Sequence, residues 1–150
     1  MLIPVEFPRH LDAIEIPKGI ADRLAQVRAR IEAFQDCWNE HHAAQFVAAD
    51  YELVYQTLQW LHDTQLIEGQ RFLEWGAGFS AVACLAFELG WTSYAVEAHR
   101  ELIPQAEKSL LQWPAKVQLH QGNFLPESAA DLAEDPTLPS LGHGGRPAYE

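Results

Sequence analysis

The stretch RFLEWGAGFSAVACLAFELG, residues 71–90, constrains the fold of this chain more than any other. Five residues, RFLEW, read as a short buried strand and run straight into a bend that holds Gly76 and Gly78. Small and apolar residues at helical spacing follow, closed by Gly90. The alternation then repeats. SYAVE reads as a second strand, RELIPQAEKSLLQW as a helix with Pro104 near its start and Pro114 beyond its end, and KVQLHQ as a third strand with Val117 and Leu119 on one face. Each crossover helix returns the chain to its starting edge, so the three strands run parallel and the class is α/β.

Upstream, Pro4, Pro8 and Pro17 mark an extended lead-in. Ile20, Leu24, Val27, Ile31, Phe34 and Trp38 then recur in steps of three and four, which predicts one long helix ending between residues 38 and 47. Asp50 is a candidate N-cap for a second helix, with Val54, Leu58 and Leu61 on its buried face and Gly69 as its left-handed stop. The chain therefore divides into an extension with a long helix (1–49), an α/β unit (50–135, with a short helix around 128–134) and a proline- and glycine-rich tail (136–150).

Composition narrows the function classes. A length of 150 residues suits one domain, and 48% hydrophobic residues supply a core. A net charge of −11 argues against nucleic acid as an obligatory partner, because that needs a basic face. Cys37 and Cys84 form no disulfide framework, and the sequence shows neither a basic leader nor an apolar run of membrane-spanning length. A soluble, cytoplasmic protein is expected. Cys37 and His41 share a helix face in CWNEHH, but no second ligand cluster accompanies them, so no metal site is expected.

In a parallel sheet, ligands bind at the carboxyl ends of the strands. Gly76 permits a sharp bend there, Gly78 permits close approach to the backbone, and the helix that follows offers unpaired N–H groups. Glu97 ends the second strand about twenty residues later, where a carboxylate can accept from ribose hydroxyls. After the third strand, Asn123 carries an amide able to pair with a base edge, and Phe124 offers it an apolar face. A nucleoside-containing ligand follows. Glu74 then discriminates between nucleosides: a pyrophosphate gains nothing from a second negative charge, whereas an ammonium group does. S-Adenosyl-L-methionine has that ammonium and no phosphate. NAD stays as an alternative, since Ala81 is tolerated where a dinucleotide loop has its third glycine.

FLEWGAGFS resembles the first motif of the class I (Rossmann-like) S-adenosylmethionine-dependent methyltransferases. SYAVEAH is similar to their second-strand acidic motif, and LHQGNF to the motif after their third strand. The whole of EWGAGFSAVACLAFELG is similar to a group of uncharacterised bacterial members. The resemblance covers roughly residues 50–125. It implies a Rossmann-like half-sheet in the order 3-2-1, preceded by two helices. Glu74, Gly76 and Gly78 would hold the methionine end of the cofactor, Glu97 the ribose, and Asn123 with Phe124 the adenine. Ala77, Ser80 and Ala98 complete the set. The chain departs from the family at Ser80, often glycine, and at Asn123, often aspartate.

Family members continue through further strands, the fourth lying beside the first, so the resemblance implies a chain truncated after its third strand. One sheet face and the edge of the first strand are left uncovered, with about six apolar residues among Phe72, Leu73, Trp75, Tyr94, Val96, Val117 and Leu119 to hide. Three arrangements would close that face: the long first helix folds over it, two chains pair as a homodimer through the face or edge, or the chain belongs to a longer protein. The sequence identifies no catalytic base. The resulting expectation is the cofactor-binding half of a methyltransferase of unassigned acceptor. The alternatives are a nucleoside-binding module without catalysis and an NAD-dependent oxidoreductase fragment.

Overall fold

The computed structural model describes residues 6–37 and 48–123. Helix α1 (Lys18–Cys37) buries Ile20, Leu24, Val27 and Ile31, the predicted stripe. Phe34 packs partly buried against the same core; Trp38 and the residues up to 47 lie outside the described residues, as do the tail and the short helix expected around 128–134. Helix α2 (Tyr51–Thr64) begins where the sequence places it, with the Leu53 amide donating to Asp50 Oδ1 at 3.1 Å. Two details differ from expectation. The helix stops at Gln65 (φ 52°), which takes the left-handed position assigned to Gly69. Its buried face is formed by Tyr51, Tyr55 and Leu58, with Val54 only partly covered, because the two tyrosine rings reach into the core from the adjoining positions. Gln56 on that face donates from Nε2 to the carbonyls of Asp12 and Ile14, which fastens the lead-in and its 3-10 turn (Leu11–Ala13) to the domain.

The α/β unit follows the predicted order: β1 (Arg71–Trp75), α3 (Ala81–Glu88), β2 (Thr92–Glu97), α4 (Ile103–Gln112) and β3 (Gln118–Gln121). The three strands form one open parallel sheet with β2 in the centre. This is the 3-2-1 arrangement of a Rossmann-like half-sheet. Successive right-handed crossovers in one direction must place their helices on the same face. Helix α1 lies on that side too. Its Arg30 donates to Ser109 Oγ at 2.7 Å and to the Gln105 carbonyl on α4, Arg23 pairs with Glu88 on α3, and Arg28 pairs with Glu52 on α2. The long helix therefore does not close the open face, which removes the first of the three arrangements.

Strand periodicity decides what the open face carries. Side chains alternate between faces, and laterally paired residues share one. Leu73 stands beside Tyr94 and Gln118, and Trp75 beside Val96 and His120. Leu73 is 48% and Trp75 64% exposed. Phe72, Val117 and Leu119, counted among those to hide, pack on the helix side instead. Four apolar residues rather than six occupy the open face, and at roughly 1.5–3 kcal/mol for each side chain left unburied the cost is still several kcal/mol. No Asp or Glu stands on it, although the chain has 21. The 150-residue chain is thus expected to self-associate in sedimentation velocity, and Trp75→Lys to shift it toward the monomer. A monomeric parent at tens of micromolar would contradict this.

Candidate functional site

The site is built where the strands end. Gly76 (φ 65°), Gly78 (φ 52°) and Ser80 (φ 53°) all adopt the left-handed conformation, so the backbone reverses its sense at every second residue between β1 and α3. Glycine enters that region freely; a residue with a Cβ is penalised by about 1–2 kcal/mol. The loop is held to its neighbours by the Ala77 amide, which donates to the Val96 carbonyl at 3.0 Å, and by the Ser80 amide on the Ala77 carbonyl. On the other side, Gly122 N–H donates to the Glu97 carbonyl at 2.9 Å. These bonds set the three strand tips in one row.

Two carboxyl groups organise the loop from the helix-covered side. Glu97, only 3% exposed, accepts at Oε2 from the Gly78 amide and at Oε1 from the His99 amide, both at 2.7 Å. Each oxygen keeps a further lone pair for another donor. Glu74 reaches beneath the first turn of α3, where its Oε2 accepts from the Ala83 amide at 2.9 Å. It does the work of an N-cap that Ser80, at the usual capping position, does not perform. Ser80 Oγ is buried and has no hydrogen-bond partner among the described residues. Burial raises the Glu74 carboxyl to about 8, with nearby Glu97 adding to the shift and the backbone amides of Ala83 and Val82 opposing it. Neither acid forms an ion pair among the described residues.

The sequence-derived set thus divides. Gly76, Ala77, Gly78, Ser80 and Glu97 come together around one bend, with Ala98, partly buried, directly after Glu97. Glu74 lies below the bend rather than in its mouth. Asn123 is exposed beyond the tip of β3, and Phe124 lies outside the described residues. Sequence reasoning missed Tyr51. This buried residue opens α2, and its hydroxyl is raised to about 12 by burial first and then by the Glu74 charge. Only the Asp50 cap, which starts α2 at that end of the sheet, could have pointed to it. A separate groove of about 640 Å³ lies at the opposite end of the sheet, between Gln65, Ile67, Gly69, Leu89 and Trp91, away from the strand tips.

No protein-family model and no curated protein sequence matches the chain. Among solved structures, the fold is similar to the crystal structure of the Podospora anserina methyltransferase PaMTH1 bound to SAH, with a TM-score of 0.51 at 14% identity. The match takes in 81% of this chain and 53% of the other, so this chain spans about half the length of that neighbour. At that identity the likeness establishes the fold alone, a Rossmann-like α/β sheet.

The left-handed Ser80 gives a direct test of the loop geometry. Ser80→Gly removes both the backbone penalty and the orphaned hydroxyl, against a smaller loss of unfolded-state order, for a net gain of about 1 kcal/mol. Thermal denaturation should record a rise of about 3 °C. A fall would contradict the conformation of the loop.

Proposed function

We propose that this chain is the cofactor-binding portion of an S-adenosylmethionine-dependent methyltransferase. The observation that carries this reading is the bend at Gly76–Ser80, lying against the Glu97 carboxylate at the tips of adjacent parallel strands. The residues fit the cofactor chemically. The bend admits a ligand close to the backbone, and Ser80 Oγ is a buried polar atom lacking a partner among the described residues. Neither acid forms an ion pair among the described residues, and an amino-acid ammonium would supply a counter-charge. Gly76, Ala77, Gly78 and Ser80 would take the methionine end, with Glu74 contributing charge from below. Glu97 beside Ala98 would take the ribose, and Asn123 with Phe124 the adenine. The likeness to a methyltransferase structure bound to SAH supports the same assignment.

Bound there, the cofactor supplies a methyl group on a sulfonium leaving group. The protein's part is then to align an acceptor atom with that carbon and to exclude competing water. NAD fits less well, because its pyrophosphate would meet two acids at the loop instead of a neutral anion cradle. Isothermal titration with S-adenosylhomocysteine and with NAD separates the two. The expected result is binding of the first in the micromolar range, about −8 kcal/mol, and none of the second. Binding of NAD alone would reverse the assignment, and binding of neither would remove it.

A further inference from the structure

Phe79 stands inside the Gly76–Ser80 bend, between two residues in the left-handed conformation, and its side chain is buried in the core on the helix side. The first helix meets that ring twice. Phe34 of α1 stands edge-on to it, with the centroids 5.8 Å apart and the planes at 81°. The Arg30 guanidinium, one turn earlier on α1, lies 5.5 Å from the ring centroid. Residues at i and i+4 share a helix face, so Arg30 and Phe34 reach the same ring together. Arg30 is itself held from α4: its Nη2 donates to Ser109 Oγ at 2.7 Å and its Nη1 to the Gln105 carbonyl at 3.2 Å. Such a fork fixes the guanidinium plane, which a point charge on a flexible stem does not achieve. The neighbouring arginines of α1 pair with carboxylates, Arg23 with Glu88 and Arg28 with Glu52, whereas Arg30 brings its charge to an aromatic ring of the loop.

We propose that Arg30 is a positioning residue for the cofactor loop, acting through the Phe79 ring so that the first helix sets the shape of the ligand site. The inference rests on the cofactor reading above and extends it to an element away from the strand tips. Phe79 shares its two peptide groups with Gly78 and Ser80, so a fixed ring restrains the peptide planes on either side of it. Glycine at 78 resists rotation little by itself, and Ser80 is held in a conformation that a residue with a Cβ disfavours. The bend therefore depends on anchors outside its own backbone. Glu97 anchors the Gly78 amide, and Arg30 with Phe34 anchors the residue after it.

Titration with S-adenosylhomocysteine tests the role. Arg30→Met keeps an apolar stem, removes the charge, and should weaken binding about tenfold. Arg23→Met removes an arginine that pairs with Glu88 rather than with the ring, and should leave the affinity within about twofold of the parent. In a Phe79→Leu background, Arg30→Met should change the affinity by less than about twofold, because the ring it acts through is gone. Ser109→Ala loosens only the seat of the guanidinium on α4 and should weaken binding about threefold. If Arg30→Met does not fold, an unchanged affinity in Ser109→Ala overturns the proposal. Arg30→Met binding as tightly as the parent, or losing as much with Leu at position 79 as with Phe, would also overturn it and leave the cofactor reading intact. Should the parent bind no ligand, the cofactor reading fails, and amide exchange decides whether Arg30 holds the loop. The Gly78 and Ser80 amides should exchange about tenfold faster in Arg30→Met, or measurably faster in Ser109→Ala if the first does not fold, with Leu85 and Ala86 in α3 unchanged. Equal acceleration at all these positions, or none, would overturn the proposal.

Discussion

One buried carboxylate joins the loop and strand tips that form the candidate site. Glu97 ends the central strand and receives two backbone N–H groups, one from the glycine loop after β1 and one from the turn that leads to α4. Charge-assisted hydrogen bonds of this kind are roughly twice as strong as neutral ones. Two of them tie the exits of neighbouring strands to a single side chain. Without them, the Gly78 amide would be left in a buried position with no acceptor, at a cost of about 1–3 kcal/mol. The loop conformation and the position of the strand tips are therefore not independent properties.

Glu74 plays the corresponding part for α3. A helix of eight residues has few internal hydrogen bonds, and its unpaired N-terminal amides weigh heavily on its stability. Here a carboxyl from the preceding strand accepts one of them, while the adjacent serine is held left-handed with its hydroxyl turned into the interior. The result couples strand, bend and helix into one unit, and it leaves a carboxyl group beneath the bend.

Much of this was legible in the sequence, for physical reasons that differ between elements. The strand and helix boundaries of the α/β unit could be read because glycine and proline punctuate it and the hydrophobic period changes sharply at residue 71. The stripe from Ile20 to Ile31 was equally plain. The stop at Gln65 was not, because a left-handed glutamine carries no compositional signal while Gly69 a few residues on does. Face assignment in the sheet needed the register. Phe72 and Leu73 are both apolar, and only strand pairing shows that the first is covered and the second exposed. The candidate site residues could be picked by their position at strand ends, but the direction of Glu74, into the helix rather than the bend, depends on packing from α3.

The account stands on the Glu97 carboxylate holding the loop, and amide hydrogen exchange followed residue by residue tests it most directly. In the parent chain, Gly78 and His99 should exchange slowly, as amides bonded to a buried acceptor. In Glu97→Ala both should become fast while Leu85 and Ala86 in α3 keep their protection. Fast exchange at Gly78 in the parent, or protection there unchanged by the substitution, would contradict the account.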